Sequence, residues 1–472
     1  MGLGISGIAA ARLLHSRGAK VTIVDQAQEP ASHAESEDLR RAGISVRWGI
    51  KSLSREPIDL AVASPGIPLD NPVISELKRR HVPVIGELEL GYRHSYCLNI
   101  AISGTNGKTT TTELVSTVLS HCHRKTIAAG NIGLPLCSVV EQTRELDFLT
   151  LEVSSFQLET IEYFRPSVAV LLNITPDHLD RYSTMREYTL AKARLFLNQQ
   201  DFDWAIIQKE ALAQLRAHQI SIPSKVITFS ASDSTADLYL DRGLLISRLP
   251  DWPGPLLNMD QCLLRGPHNA ENLMATLAVG RTLRLPLEQV SEALKTFKSA
   301  PHRCELVAEV NGVQFVNDSK ATNLDALHRA VQAMRRAPGA QPNIWLLAGG
   351  RDKGFSFHEV GPALSERVKG AFLFGETREK IRAAWSLFTP CTVVNSLLEA
   401  LAEAARHAAP GDVVLLSPAC SSFDQFRNYQ HRGEVFRNAV IQRVRGTGRG
   451  RGRGHHNPND AGNQAALIEL KT

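Results

Sequence analysis

A glycine-bearing loop with a lysine and a threonine is the part of this 472-residue sequence best suited to chemistry. Residues 104–109 read Gly-Thr-Asn-Gly-Lys-Thr and lie between an apolar run and an amphipathic stretch. A strand, a tight turn and a helix start gather backbone N–H groups and the positive helix end around one point, which suits a phosphate. Lys108 supplies a cation for the β- and γ-phosphates, and the Thr109 hydroxyl is placed to bind Mg²⁺. A full phosphate loop has glycine where Ile102 stands, so this loop is a shortened variant. The strand before it and the helix after it still predict that it binds the phosphates of ATP.

Acidic residues and a histidine follow the next two apolar runs. Glu152 ends the run 148–151, and Asp177 and His178 follow the run 168–172. If these runs are parallel strands, their carboxyl ends meet at one edge of a sheet, beside the predicted phosphate loop. ATP-dependent chemistry needs a metal ion, so we expect Glu152 and His178 to bind Mg²⁺ there.

A second glycine pattern opens the chain. Residues 2–7 match G-x-G-x-x-G, and Asp25 stands 18 residues after Gly7, at the end of the next apolar run. The glycines allow a phosphate to approach a helix start, and the acid can meet a ribose hydroxyl. No apolar strand precedes the loop, since the given chain begins at Met1. We therefore expect that the natural start lies upstream and that an apolar strand enters Gly2.

Polar turns also follow three apolar runs in the last third of the chain. They cover residues 317–323, 349–353 and 417–426. Open parallel sheets bind ligands beyond the carboxyl ends of their strands, so these turns predict one binding edge. Lys320 and Lys353 are its natural partners for an anionic substrate.

The elements that position these loops alternate between short apolar strands and helical stretches, which is typical of parallel α/β sheets. The pattern restarts near residue 88 and again after Pro301, so we predict three α/β domains in series. The predicted strands are 20–25, 60–64, 97–102, 148–153, 168–173, 204–207, 314–317, 344–348, 371–374 and 413–416, with others near 226 and 244.

Composition excludes several classes of protein. No apolar run approaches the ~18 residues of a membrane span, and no secretory signal is visible. The seven cysteines include no C-x-x-C pair and fit a reducing compartment. Residues 443–472 hold six basic and two acidic residues, so the rest of the chain carries only +1 of the net +5. That balance predicts no specific nucleic-acid partner, and the Arg/Gly run 446–454 cannot bury a core.

Taken together, these motifs resemble those of the Mur ligases, the ATP-dependent amino-acid ligases of peptidoglycan precursor synthesis. The likeness covers nearly the whole chain to about residue 445. Asp-Asn-Pro-Arg, the motif of the diaminopimelate-adding relative, is absent from the sequence. The motifs that carry the likeness are residues 104–110, 130–133, 152–158, 177–182, 266–272, 301–303, 318–323 and 417–429.

The resemblance implies an α/β fold with a Rossmann-like N-terminal domain, a P-loop ATPase-like central domain and a Rossmann-like C-terminal domain. The expected ranges are 1–87 for the domain that binds the uridine diphosphate substrate, 88–297 for the ATP-binding domain, 298–445 for the amino-acid-binding domain, and 446–472 for a disordered Arg/Gly-rich tail. The cysteines and the lack of a visible secretory signal predict a cytoplasmic protein, and we expect a monomer.

The resemblance further implies a reaction and its participants. The enzyme would add D-glutamate to UDP-N-acetylmuramoyl-L-alanine through an acyl phosphate, with ATP and two Mg²⁺ ions. The implied ATP-binding residues are Gly104, Thr105, Asn106, Gly107, Lys108, Thr109, Thr110, Asn269, Asn272, Arg303 and Asp318. Those for the uridine diphosphate substrate are Gly4, Ile5, Ser6, Asp25, Asn131 and Ser154. Those for D-glutamate are Lys320, Thr322, Lys353, Ser422 and Tyr429.

The implied catalytic residues are Lys108, Glu152, His178 and Lys192, and the implied metal ligands are Thr109, Glu152, His178 and Lys192. By itself, Lys192 reads as a surface lysine on a helix. It matches the lysine that family members carry as a carbamate, which would turn a cation into an anionic oxygen ligand. An unmodified ammonium there would repel Mg²⁺ instead.

Three other interpretations remain open at this stage. A folylpolyglutamate-type ligase would share the phosphate loop and the His178 region but would need no uridine diphosphate site. A non-enzymatic nucleotide- or RNA-binding protein would work through residues 446–454. A dinucleotide oxidoreductase would use residues 2–7, but it leaves Lys108, Glu152 and His178 unexplained.

Overall fold

The computed structural model describes residues 1–449 except 29–33, 51, 54–55, 180, 299–300, 337–338, 340 and 353–354. Within these residues the strands form three successive sheet regions along the chain. The predicted α/β class is confirmed, and each strand predicted from the apolar runs is present. None of the described helices combines the length and the apolar character that crossing a bilayer requires.

The first region holds two small parallel sheets, β1–β2 and β3–β4. Its strands are β1 Thr22–Val24, β2 Ser45–Arg47, β3 Ala61–Ala63 and β4 Val84–Gly86, and its helices are α1 Ile5–Ser16, α2 Ala34–Arg41, α3 Pro72–Arg79 and α4 Glu87–His94. The first two residues lie between the sheets. Gly2 donates its N–H to the carbonyl of Val24 at 2.9 Å, and the carbonyl of Met1 accepts from the N–H of Ser64 at 3.1 Å. The expectation that a strand precedes Gly2 stays a prediction.

The second region is one sheet with the strand order β13-β12-β11-β10-β9-β8-β5-β7-β6. Its strands are β5 Leu98–Ser103, β6 Thr126–Gly130, β7 Phe148–Glu152, β8 Val168–Leu171, β9 Trp204–Gln208, β10 Lys225–Ser230, β11 Leu238–Asp241, β12 Leu244–Ser247 and β13 Gly254–Asn258. Its helices are α5 Lys108–His121, α6 Leu136–Val139, α7 Ser155–Leu158, α8 Met185–Ala193, α9 Lys209–Ala217, α10 Pro267–Thr282 and α11 Leu287–Thr296.

Alternation along β5 fills a core on each face of this sheet. Ile100 and Ile102 point into one core, where they pack with helices α5, α10 and α11, while Ala101 belongs to the other. A strand buried on both faces reads as a continuous apolar run because neither side meets water. Strand β5 pairs in parallel with both β7 and β8, so the three loops that follow these strands meet at one edge.

The third region is a sheet with the order β14-β15-β19-β16-β17-β18. Its strands are β14 Glu305–Val310, β15 Val313–Asn317, β16 Ile344–Gly349, β17 Val368–Phe374, β18 Cys391–Val393 and β19 Val413–Leu416, and its helices are α12 Leu324–Ala333, α13 Gly361–Arg367, α14 Arg378–Trp385, α15 Leu397–His407 and α16 Tyr429–Arg449. Strand β14 is antiparallel, and the other neighbours in the sheet are parallel. Strands β15, β16 and β19 therefore end at a common edge, as the three polar turns predicted.

One boundary differs from the expectation. Helix α16 continues to Arg449, past the predicted start of the tail at residue 446. Helix ends are soft by one or two residues, and a helix already propagating carries its last turn further than composition indicates. Residues 450–472 lie outside the described part of the chain.

Candidate functional site

The phosphate loop predicted from the sequence forms the turn between β5 and α5. Gly104 and Gly107 have φ of 151° and 86°, values that side chains with a Cβ rarely adopt. A Cβ at Gly107 would lie 2.5 Å from Asn272 Oδ1. Lys108 Nζ donates to the carbonyls of Gly104 and Thr105 at 2.8 and 2.7 Å, so its cation lies within the turn. The loop is tight, needs its glycines, and holds a positive charge.

A chain of hydrogen bonds runs from this loop to the end of β7. Thr109 Oγ1 donates to Glu152 Oε2 at 2.5 Å, and Asn131 Nδ2 donates to Glu152 Oε1 at 2.9 Å. Lys320 Nζ, from the third sheet region, donates to Thr109 Oγ1 at 2.9 Å. The buried carboxylate of Glu152 is therefore shared by the loops after β5 and β6.

The segment after β8 supports the loop from the other side. Asn173 Oδ1 accepts the backbone N–H of Asn106 at 2.8 Å, and Thr105 Oγ1 donates to the carbonyl of Thr175 at 3.1 Å. His178 lies at the end of this segment with φ of 55° and about a third of its side chain exposed. Its Nε2 lies 3.7 Å from Asp177 Oδ2. The sequence placed His178 at this edge, and the structure brings it there.

Lys192 is a correction to the interpretation from helical pattern alone. It is not a surface lysine, because only 1% of it is exposed. Its Nζ donates to the carbonyl of Gly104 at 2.8 Å and lies 4.6 Å from the centre of the Tyr188 ring. Burial, with Lys108 nearby, holds the pKa of this amine well below its ordinary value. The phosphate loop packs against α8 at Lys192 and Tyr188, a long-range contact that sequence periodicity does not reveal.

The third region supplies further groups. Arg303 donates to Thr110 Oγ1 at 3.2 Å. Asp318 accepts from Ser417 Oγ at 2.9 Å, and burial raises the pKa of its carboxyl to about 7. Burial lowers the pKa of Lys320 to about 7, and the charge of Arg303 adds to this shift. Both pKa values are displaced toward neutrality, a feature that is common at functional sites.

One cavity of about 560 Å³ brings most of the predicted residues together. It lies between the phosphate loop, the start of α10 and the third region. The predicted residues that line it are Thr105, Asn106, Gly107, Lys108, Thr109, Thr110, Asn131, Glu152, His178, Asn269, Asn272, Arg303, Asp318, Lys320, Thr322 and Tyr429. Asn272 and Asn269 are hydrogen-bonded to each other at 3.1 Å.

Other predicted residues do not line this cavity. Gly104, the first residue of the loop, accepts from the buried Nζ of Lys192 through its carbonyl. Ser154 caps α7, accepting the N–H of Gln157 at 3.2 Å. Ser422 is buried and accepts the N–H of Phe426 through its carbonyl at 2.9 Å. Lys353 lies outside the described residues.

The first glycine loop lies apart from this cavity. Gly4 is the N-cap of α1, and a Cβ there would meet nothing within 4 Å, whereas a Cβ at Gly7 would lie 2.0 Å from the carbonyl of Gly2. Asp25 accepts the N–H of Leu3 at 2.8 Å. The chain is therefore tight beneath the loop and open above it, where Ile5 is 71% exposed and Ser6 is half-buried.

The donor set at Thr109 and Glu152 fits magnesium. A hydroxyl and a carboxylate are hard oxygen ligands, and Mg²⁺ is usually held by one or two carboxylates together with substrate phosphates. No group of three or more His, Cys, Asp or Glu residues that could hold a metal occurs in the described part of the chain. Thr109 and Glu152 therefore suit a metal that the phosphates of a nucleotide also bind.

Sequence reasoning missed two arginines at this edge. Arg329 lines the cavity from α12, and Arg432 is fully buried beneath it. Arg432 donates from Nε to Ser319 Oγ at 3.0 Å and from Nη1 to the carbonyl of Cys420 at 3.2 Å, so it joins the turns after β15 and β19. An arginine in a long basic helix gives no signal of burial. For Arg329, the Asp325/Arg329 spacing of four residues in the same helix was a readable signal.

Comparison with known proteins agrees with this architecture. Residues 1–86 match the Mur ligase MurD-like N-terminal domain, residues 102–280 the Mur ligase middle domain, and residues 302–420 the Mur ligase glutamate ligase domain. The chain is 40% identical to the UDP-N-acetylmuramoylalanine–D-glutamate ligase of Acidobacterium capsulatum, over 93% of this chain and 95% of that one. It is 39% identical to the ligase of the same name from Geobacter metallireducens, over 95% and 97%.

Solved structures share the fold at lower identity. The MurF ligase from Thermotoga maritima, in complex with ADP, is 18% identical with a TM-score of 0.62, over 91% of this chain and 97% of that one. A pseudomurein peptide ligase type C from Methanothermus fervidus is 16% identical with a TM-score of 0.59, over 93% and 98%. The family likeness read from the motifs is confirmed, and the chain belongs to the Mur ligase family.

Proposed function

We propose that this protein joins UDP-N-acetylmuramoyl-L-alanine to D-glutamate in an ATP-dependent reaction that releases ADP and phosphate, as a step of peptidoglycan precursor synthesis. The observation that carries the proposal is the single cavity in which the phosphate loop of the middle region meets Arg303, Asp318 and Lys320 of the third. The close relatives named for this activity support it. An ATP-binding loop facing a cationic edge suits the activation of one acid and the capture of another.

The chemistry follows from charge. A carboxylate does not react with an amine at neutral pH, so its oxygen must first become a leaving group. The L-alanine carboxylate attacks the γ-phosphorus of ATP, which gives an acyl phosphate and ADP, and the amine of D-glutamate then displaces phosphate. Two anions meet in the first step, so Lys108 serves to screen them, and most of the catalysis is electrostatic and positional.

Two Mg²⁺ ions belong to the proposal and would supply further charge neutralisation when bound. Thr109 and Glu152 would hold one. His178 and a carbamate on Lys192 would serve the other. A neutral amine is the form that reacts with CO₂, and the low pKa of Lys192 supports that modification.

The remaining roles are proposed by position. Asn269, Asn272, Arg303 and Asp318 would face the nucleotide, and Lys320, Thr322 and Tyr429, with Ser422 and Lys353, would hold D-glutamate. Gly4, Ile5, Ser6 and Asp25 would bind the uridine diphosphate part, with Asn131 and Ser154 nearer the reacting end. The proposed domains remain 1–87, 88–297 and 298–445, followed by the tail.

We also propose a cytoplasmic monomer. One chain supplies groups from both the middle and the third region to a single cavity, so a partner subunit is not needed to complete the site. ATP, a substrate of the reaction, is available in the cytoplasm.

The deciding experiment measures phosphate release from ATP in the presence of UDP-N-acetylmuramoyl-L-alanine and Mg²⁺. D-glutamate, L-glutamate, meso-diaminopimelate and L-lysine are compared as acceptors. We expect release and amide product with D-glutamate only. Equal rates with all four amino acids would refute the D-glutamate assignment, and no release with any of them would refute the ligase activity.

A further inference from the structure

Asp325 of the third region forms hydrogen bonds to two loops of the middle region, one of which is the phosphate loop. Asp325 lies in the first turn of α12, whose N-cap is Asn323. Its Oδ2 accepts from Asn106 Nδ2 at 2.5 Å and from Thr175 Oγ1 at 3.1 Å. Asn106 belongs to the phosphate loop and Thr175 to the segment after β8. One oxygen atom of the third region thus joins two loops of its neighbour.

Arg329, one helical turn further along α12, completes the contact. Its Nε donates to Asp325 Oδ2 at 3.0 Å, and its Nη1 lies 3.5 Å from Glu271 Oε2. Glu271 is buried on α10, the helix that also carries Asn269 and Asn272. The Asp325–Arg329 pair therefore connects α12 to the phosphate loop, to the segment after β8 and to α10, three elements of the middle region that border the cavity.

Arg329 neutralises the charge of Asp325 beside the phosphate loop. A bare carboxylate beside an ATP-binding loop would repel the nucleotide, but Arg329 holds an opposite charge against Asp325. Asn106 and Thr175 are already fixed within the middle region by Asn173 and Thr105. The contact with Asp325 can therefore exist only when the third region is seated over a formed phosphate loop.

We propose that Asp325, oriented by Arg329, is a positioning residue that couples closure of the third domain to the ordered phosphate loop. The inference rests on the proposed function, because its catalytic consequence is protection of the acyl phosphate. A third domain that seats poorly admits water, which hydrolyses the acyl phosphate before the amine attacks it. Asp325 does not line the cavity, so its removal should spare nucleotide binding itself.

The test compares Asp325→Ala with wild type. We expect amide formation to fall about tenfold, which corresponds to ~1.4 kcal/mol. We expect phosphate release per amide formed to rise at least threefold, and the affinity for a non-hydrolysable ATP analogue to change less than threefold. Small-angle scattering with both that analogue and the uridine substrate bound should give a larger radius of gyration than wild type.

The matched control is Glu379→Ala. Glu379 is an exposed acid of the same region, and its carboxylate pairs with Arg382 of its own helix. It should match wild type in every measurement. Asp325→Asn keeps an acceptor oxygen for Asn106 or Thr175 and should restore part of the coupling, which separates positioning from misfolding.

Thr175→Val supplies an independent arm. Its effect on phosphate released per amide should largely disappear in the Asp325→Ala background, as coupled partners require. The proposal is overturned if Asp325→Ala keeps the wild-type ratio and radius, or if the Thr175→Val and Asp325→Ala effects simply add. If wild type forms no amide, the proposed function fails, while scattering and analogue binding still decide whether Asp325 controls closure.

Discussion

The two glycine loops of this chain, residues 104–109 and residues 2–7, both precede a helix but differ in the contacts that hold them. The loop at 104–109 follows a six-residue strand that is paired on both sides, and it carries Lys108 and Thr109 within the motif. The loop at 2–7 is held by hydrogen bonds of Met1 and Gly2 to Ser64 and Val24, and it contains no charged side chain.

The difference teaches what a glycine pattern specifies. Glycines allow the backbone to approach an anion closely, which both loops permit. The chemistry depends on the side chains around the bound anion. The loop at 104–109 contacts Glu152 and Lys320. The loop at 2–7 has Asp25 on one side and open space at Gly4 on the other. One loop is suited to catalysis and the other to binding.

The largest expected effect breaks the catalytic loop. Lys108→Ala removes the cation held within the turn, and we expect kcat/KM for ATP to fall by about 10³-fold or more. Steady-state phosphate release measures the loss, with the exposed Lys20→Ala as the matched control. Uridine-nucleotide affinity should stay at the wild-type level, and a loss smaller than tenfold would contradict the proposed role.

The next effect concerns the amine beneath that loop. Lys192→Ala should lower kcat about 100-fold and be partly rescued by added short carboxylates, which can replace a carbamate. Since burial lowers the pKa of this amine well below its ordinary value, the neutral form that reacts with CO₂ is favoured, and the wild-type protein should form the carbamate. A carbamate signal in ¹³C NMR with labelled bicarbonate is the direct measurement. A protein that stays fully active without the signal would contradict the proposal.

A substitution in the first loop sharpens the separation. Gly7→Ala would place a Cβ 2.0 Å from the carbonyl of Gly2, so we expect uridine-nucleotide affinity to fall at least tenfold while ATP affinity is unchanged. Titration calorimetry with each nucleotide measures both. Gly66→Ala, in the same region but outside the proposed binding residues, is the control, because a Cβ there meets nothing within 4 Å. Equal loss of ATP affinity in Gly7→Ala would show that the two loops are not independent.

The smallest effect is in stability. The pKa of Asp318 is 3.8 in a model peptide and about 7 when buried here, so the folded protein binds a proton that the unfolded chain releases between these values. The unfolding free energy should therefore fall as pH rises from 4 to 7, and the cost is fully present above pH 7. Asp318→Asn should raise the unfolding free energy by about 1–3 kcal/mol at pH 8 and hardly at pH 4.

Urea unfolding at both pH values measures this difference, with the exposed Asp260→Asn as the control. A gain of the same size at pH 4 would show that packing, and not the buried charge, is responsible. The variant should also lose activity, because the same carboxyl faces the cavity. Asp318→Asn would then gain stability and lose activity, whereas Asp260→Asn should change neither.

Much of this architecture could be predicted from the sequence. Apolar runs of strand length followed by polar turns predicted the strands that carry the site, their parallel direction and the edge where Lys108, Glu152 and His178 meet, but not the order of the strands or the antiparallel pairs of β11, β12, β13 and β14. Burial of Lys192 could not be predicted, because a single helix pattern does not show which segment folds over it. Asp325 and Arg329 act across two regions distant in the chain, and only the tertiary arrangement brings them to Asn106 and Glu271.

The hydrogen bonds around Glu152 have one direction, and this has a consequence. Lys320 donates to Thr109, Thr109 donates to Glu152, and Asn131 donates to the other oxygen of the same carboxylate. A glutamine at this position would offer one oxygen acceptor and one N–H donor. Its N–H would either face the N–H of Asn131 or require the Thr109 hydroxyl to accept a hydrogen bond instead of donating one. A side chain that accepts at both of its oxygens therefore fits this strand end better than an amide, and the donors of this hydrogen-bond chain come from three different loops.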